Sequence, residues 1–90
     1  MIAGKVTGSI VSTRKCDSLV GNKLLVVDVL SNMSVEYKQL IAVDQVGAGI
    51  GEYVLVALGS AARVSLGTKE APIDAAIVGI IDDGSEYIKE

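Results

Sequence analysis

Apolar residues gather along this chain in five short runs separated by polar or glycine-containing breaks. The runs are rich in Val and Ile, whose branched side chains suit the pleated surface of a sheet, so each is read as a strand. The first, "IAGKVTGSIVST" over residues 2–13, alternates Lys5, Thr7 and Ser9 with small or apolar residues. Gly4 and Gly8 interrupt it, and glycine inside a strand marks a bend, a bulge or a close backbone approach. The second, "KLLVVDVL" over 23–30, is nearly continuous and predicts burial on both faces for part of its length. The third, "EYKQLIAVD" over 36–44, follows the turn-prone "SNMS". "EYVLVAL" over 52–58 and "AAIVGIID" over 75–82 complete the set.

Five strands joined by short turns predict an all-β domain, a small closed or nearly closed barrel, because an open sheet of this length would leave long unpaired edges. The longest break is "GSAARVSLGTKEAPIDA" between the fourth and fifth runs. In it "SAAR" predicts one helical turn with Ser60 as N-cap and Arg63 in its last turn. "PIDAA" predicts a second short helical piece begun by Pro72.

Ninety residues suit one domain, read here as a single barrel over 1–90, with a modest core that oligomerisation would reinforce. The single cysteine, Cys16, has no partner for a disulfide within the chain. Without histidine, the commonest general base and the commonest transition-metal ligand are both missing, so no metal or cofactor is expected. Eight basic against eleven acidic residues give a net charge of −3, which gains nothing from counterion release on nucleic acid. A barrel of the oligonucleotide-binding (OB) class remains the alternative function, a module for single-stranded nucleic acid. Such modules stack bases on aromatic side chains beside a positive groove. Here Phe and Trp are absent, and Tyr37, Tyr53 and Tyr87 are scattered. No run reaches the roughly 20 apolar residues that cross a bilayer, and "MIAGKVTGSIV" lacks a signal-peptide pattern, so a cytosolic protein with no membrane contact is expected.

The chemistry-bearing candidates centre on "VGAGIGE", where Gly47, Gly49 and Gly51 alternate with Ala48 and Ile50. A dinucleotide loop needs a third glycine where Glu52 stands, and an amphipathic helix where the strand-like "EYVLVAL" follows. The glycines are therefore read as a tight, contact-shaped connection between strands three and four. Asp28 lies in an apolar strand and needs partners if buried. The fork of Arg63 suits a carboxylate, with Asp44, Glu52 and Asp74 as candidates, against the plain alternative of a solvated arginine.

Four stretches, "GKVTGSIVST", "GNKLLVVDV", "AVDQVGAGIGEYVLVALGSAAR" and "APIDAAIVGIID", occur in this order and cover most of the chain. In them the sequence resembles the EutN/CcmL family, the pentameric vertex proteins of bacterial microcompartment shells. The resemblance implies an OB-like barrel of five strands and a non-catalytic subunit. Such subunits form homopentamers that close the corners of a shell otherwise tiled by hexameric shell proteins, in the bacterial cytoplasm. On that footing Asp44, Gly47, Ala48, Gly49, Gly51 and Glu52 are expected in or beside the subunit interface, with Arg63 pairing across it. Gly59, Ser60, Ala61 and Ala62 are expected near the five-fold axis.

Overall fold

The five apolar runs form β1 (Ile2–Ile10), β2 (Lys23–Val29), β3 (Gln39–Asp44), β4 (Tyr53–Leu58) and β5 (Ala75–Ile80). They close into a barrel in the order β1-β2-β3-β5-β4. The computed structural model describes residues 1–11, 17–19, 21–33, 36, 38–65, 67 and 73–82. Residues 12–16, with Cys16, and 83–90, with Tyr87, lie outside the described set, as do Tyr37 and Pro72. Neighbouring strands are antiparallel except β3 and β5, which run parallel through Val43↔Ala76 and Asp44↔Ile77. A 3-10 turn, Asp17–Leu19, lies between β1 and β2.

Alternation along the strands sends Val6, Leu25, Val27, Val54, Val56 and Ile77 into the barrel, all fully buried. Each such side chain contributes about 1.5–3 kcal/mol on leaving water. A second, smaller cluster lies outside the sheet, where α1 (Ser60–Ser65) sets Ala62 over Val43 and Ala76, with Ile73 beside them. The helix thereby covers the short parallel seam that closes the barrel. On the outer face of β2, Leu24 packs against this cluster, yet it and Val26 are both only half-buried, so the expected burial on both faces is reached in part.

Both glycines of β1 have a structural cause. A Cβ on Gly4 would press on the Val27 side chain and stand 2.7 Å from the Asp28 carbonyl oxygen. At Gly8 the β1–β2 register shifts, leaving Thr7 as the extra residue of a bulge. Other expectations need correction. β1 ends at Ile10 and β3 begins at Gln39, each shorter than the apolar run that contains it. Ser60 is the first helical residue rather than the N-cap. Gly59 precedes it, and its carbonyl accepts the Ala62 N–H at 3.1 Å. Ile73 and Asp74 are not helical, and Ala75 and Ala76 already belong to β5, so the "PIDAA" helical piece is absent over the described residues. The sequence favours the strand there because Ala76 and Ile77 pair with β3 while alternating between the two clusters. No described helix is long and apolar enough to cross a membrane.

Candidate functional site

The connection between β3 and β4 is built from the carboxylates at its two ends. Asp44 closes β3 with its side chain turned inward and buried. Its Oδ1 accepts the Val46 N–H and its Oδ2 the Ala48 N–H, both at 3.0 Å. Glu52, at the other end, accepts the Gly49 N–H on Oε1 at 2.6 Å. Lys23, opposite Asp44 in the β2–β3 register, donates to the Ala48 carbonyl at 3.1 Å and lies 4.0 Å from Asp44 Oδ2. Main-chain bonds from Gly51 N–H to the Val6 carbonyl (2.8 Å) and from Val6 N–H to the Glu52 carbonyl (2.9 Å) fasten the loop to β1.

Gly47 and Gly51 have φ of 78° and 92°, and no non-glycine residue in the described chain has positive φ. A Cβ at either would meet nothing within 4 Å of its own chain, so backbone conformation, not crowding inside the subunit, calls for glycine there. Gly49 differs. It lacks a positive φ, and an added Cβ would press on Glu52 Oε1 at 3.3 Å. Any larger residue at 49 would thus disturb the carboxylate that holds the loop, quite apart from any neighbour.

This geometry decides the chemistry of the glycine loop. The amides of Val46, Ala48 and Gly49 are the donors an anion would need, and the chain already supplies its own anions to them. A phosphate arriving here would meet two carboxylates. Among the described residues no group of three or more His, Cys, Asp or Glu side chains gathers as a metal site.

The structure brings Asp44, Gly47, Ala48, Gly49, Gly51 and Glu52 together in one loop. Ala48 is a member of the barrel core, and the Asp44 carboxylate also faces inward, so both shape the loop from within. Its exposed residues are Gln45, Val46 (41% exposed), Gly47, Ile50 (68%) and Gly51, and the two large apolar ones, Val46 and Ile50, were not singled out from the sequence. The signal was available, since Ile50 sits between two glycines with no core position for it to fill.

Gly59 to Arg63 stand apart from the loop, at the far end of β4, six residues or about 20 Å along the strand. Gly59, Ser60 and Ala61 are exposed, whereas Ala62 is buried on the inner face of the helix. The carboxylate partners considered for Arg63 are not its described contacts. Its guanidinium donates to the Ile73 carbonyl at 3.0 Å, tying α1 to the approach to β5, while Asp44 and Glu52 are engaged on loop amides. Asp28 is half-exposed on the outer face, accepting from Gln39 Nε2 (2.7 Å) and Thr7 Oγ1 (3.2 Å), so its placement costs little. Lys5 caps the Tyr53 ring at 5.5 Å, which engages that aromatic within the chain.

Residues 1–82 match the EutN_CcmL family model, described as ethanolamine utilisation protein EutN/carboxysome. The chain belongs to the EutN/CcmL family. Within this family it is 51% identical over 83 residues to the bacterial microcompartment shell vertex protein GrpN of Rhodospirillum rubrum, covering 91% of this chain and 93% of that protein. It is 48% identical over 95 residues to the carboxysome shell vertex protein CcmL of Synechocystis sp., covering 99% and 95%. The solved structure of GrpN, described as a pentameric microcompartment shell protein, superposes with a TM-score of 0.76 at 48% identity over 91% of this chain and 93% of that one. The pentameric shell protein MSM0273 from the RMM microcompartment superposes with a TM-score of 0.81 at 37% identity over 100% of both chains. The EutN/CcmL match runs through all five strands and the whole glycine loop.

Proposed function

We propose that this chain is a structural subunit, one barrel over residues 1–90, that assembles as a cyclic pentamer and closes the vertices of a bacterial microcompartment shell in the cytoplasm. The observation that carries this is the likeness, across the whole barrel, to proteins described as shell vertex proteins and, where solved, as pentameric. The role is geometric rather than catalytic. A sheet of hexamers is flat, and replacing one six-fold position by a five-fold one introduces the curvature a closed shell needs. Hexameric shell proteins are accordingly the partners at the pentamer's rim.

The loop over 44–52 lies in or beside the contact between subunits. In support, its frame is fixed by bonds inside one chain, while its outward Val46 and Ile50 are apolar and uncovered. The exposed Gly59, Ser60 and Ala61 face the five-fold axis. Arg63, half-buried, offers five N–H donors, and the described contact to the Ile73 carbonyl leaves others for a carboxylate of the next subunit. Native mass spectrometry of the purified chain is expected to give a dominant five-subunit species. A monomer, or a ring of another size, would refute the proposal. Mixing that pentamer with hexameric shell protein is expected to turn open sheets into closed particles.

A further inference from the structure

A closed ring of identical subunits is held by a head-to-tail contact, so each subunit must carry two different, complementary patches. Beyond the glycine loop, and apart from the exposed Val11 after β1 and Val64 on α1, the described strands leave two apolar patches open. One lies on the outer side of β2 and β3, where Ile41 is 52% exposed opposite the half-buried Val26, with exposed Ile10 nearby on β1. The other is centred on β4, where Leu55 is 38% exposed between Ala3 of β1 and Gly79 of β5, with Met1 and Ile80 exposed beside it.

Each patch pairs a projecting aliphatic side chain with a hollow. Gly8 lies opposite Val26 in the β1–β2 register, and even an added Cβ there would reach only to 3.8 Å from the Val26 side chain. Gly79 lies opposite Leu55, where an added Cβ would stand 3.6 Å from Leu55 Cδ1. Without those Cβ atoms, the surface is low over Gly8 and over Gly79, beside the ridges of Val26 with Ile41 and of Leu55. The first patch also borders an open edge. Among the described residues β5 pairs with β3 through Val43 and Asp44, leaving 39–42 without a strand on that side. An uncovered edge carrying an exposed isoleucine is a surface natural β proteins shield.

We infer that the Ile41–Val26 patch of one subunit packs against the Leu55 patch of the next, a contact that rests on the pentamer proposed above. The occupant is a second copy of this chain. A head-to-tail contact between copies needs a different patch on each side of the subunit, and beyond the loop the barrel presents such a pair on different strands, both aliphatic and each joining a ridge to a hollow. Burial of Ile41 and Leu55 at this contact also accounts for large aliphatic residues at outward positions that contribute nothing to the core.

Charge exchange tests the pairing. Ile41→Asp and Leu55→Lys, each at an exposed position, are expected to leave the thermal transition of the dissociated chain in place. Each is expected to weaken ring formation by about a hundredfold or more, because each buries an unpaired charge. The double variant places Asp against Lys at every contact of the ring and is expected to regain the five-subunit mass. As an independent readout, two chains carrying Cys16→Ser are mixed, one with Ile41→Cys and the other with Leu55→Cys. A short bis-maleimide is expected to join the mixture into a dimer and neither chain alone. A pentamer that survives either single charge substitution, a double variant no more pentameric than the singles, or a mixture that fails to cross-link overturns this contact while leaving the pentamer standing. A wild-type chain that is monomeric overturns the pentamer itself, and the contact with it.

Discussion

Replacing Asp44 by alanine removes the acceptor on which two loop amides depend. Both carboxylate oxygens are engaged, Oδ1 by Val46 N–H and Oδ2 by Ala48 N–H, each at 3.0 Å. The Ala48 bond is buried, so its orphaned donor has no water to turn to and costs about 1–3 kcal/mol. The Val46 bond is only part-buried, and water can replace it, so no more than about 1 kcal/mol is expected there. The Lys23 side chain is more than half exposed and 4.0 Å away, which limits its loss to about 0–1 kcal/mol. Orphaning the buried amide therefore outweighs breaking the ion pair, and the whole comes to about 2–4 kcal/mol. In a domain of this size that lowers the midpoint of thermal unfolding by roughly 10–25 °C.

Urea unfolding at one fixed protomer concentration measures this, because the proposed ring would add a concentration-dependent stabilisation that must be held constant. Asp28→Ala is the control. It also removes two hydrogen bonds to a carboxylate, but on the outer surface, and should cost under about 1 kcal/mol. Asp44→Asn should fall between the two, since an amide keeps one acceptor but turns an NH2 group toward one of the loop donors. If Asp44→Ala costs under about 0.5 kcal/mol, or no more than Asp28→Ala, the loop is not held by this carboxylate and the account of the site fails.

Gly51→Ala forces a side chain into a φ of 92° and should cost about 1–2 kcal/mol in the same assay. Gly49→Ala, at an ordinary φ, only nudges Glu52 Oε1 and should cost less; the reverse order would mean that crowding rather than backbone conformation selects these glycines. Arg63→Ala loses the bond to the Ile73 carbonyl, worth about 1 kcal/mol. If the arginine also pairs across the ring, the variant pentamer dissociates at low concentration in native mass spectrometry. An undisturbed pentamer would confine Arg63 to holding its own helix.

Much of the barrel was legible because strand formation here follows local composition. Runs of Val, Ile and Leu broken by glycine and polar residues fall where β1 to β5 form. What was not legible depends on partners distant in the chain. "PIDAA" has a helix-starting proline, yet pairing of Ala76 and Ile77 with β3 draws the segment into a strand. Arg63 reads from sequence as either half of an ion pair or a solvated side chain, and its contact with a backbone carbonyl fits neither because such a partner leaves no mark on sequence. The acidic residues flanking the glycine loop were visible, but that both would serve the loop's own amides is evident only once the two ends of the connection meet.

That arrangement bears on how a ring subunit can be made from a chain this small. A loop that gained its shape only on meeting a neighbour would bear the ordering cost at every contact, and the ring would be weaker by that amount. Here Asp44, Glu52 and the bonds to Val6 satisfy the backbone within one subunit, so the loop is ordered before any second chain arrives. The same bonds engage the amides of Val46, Ala48 and Gly49 on the loop's own carboxylates, and the large apolar side chains the loop offers outward are Val46 and Ile50. A preorganised surface of that kind suits a permanent neighbour far better than a transient ligand.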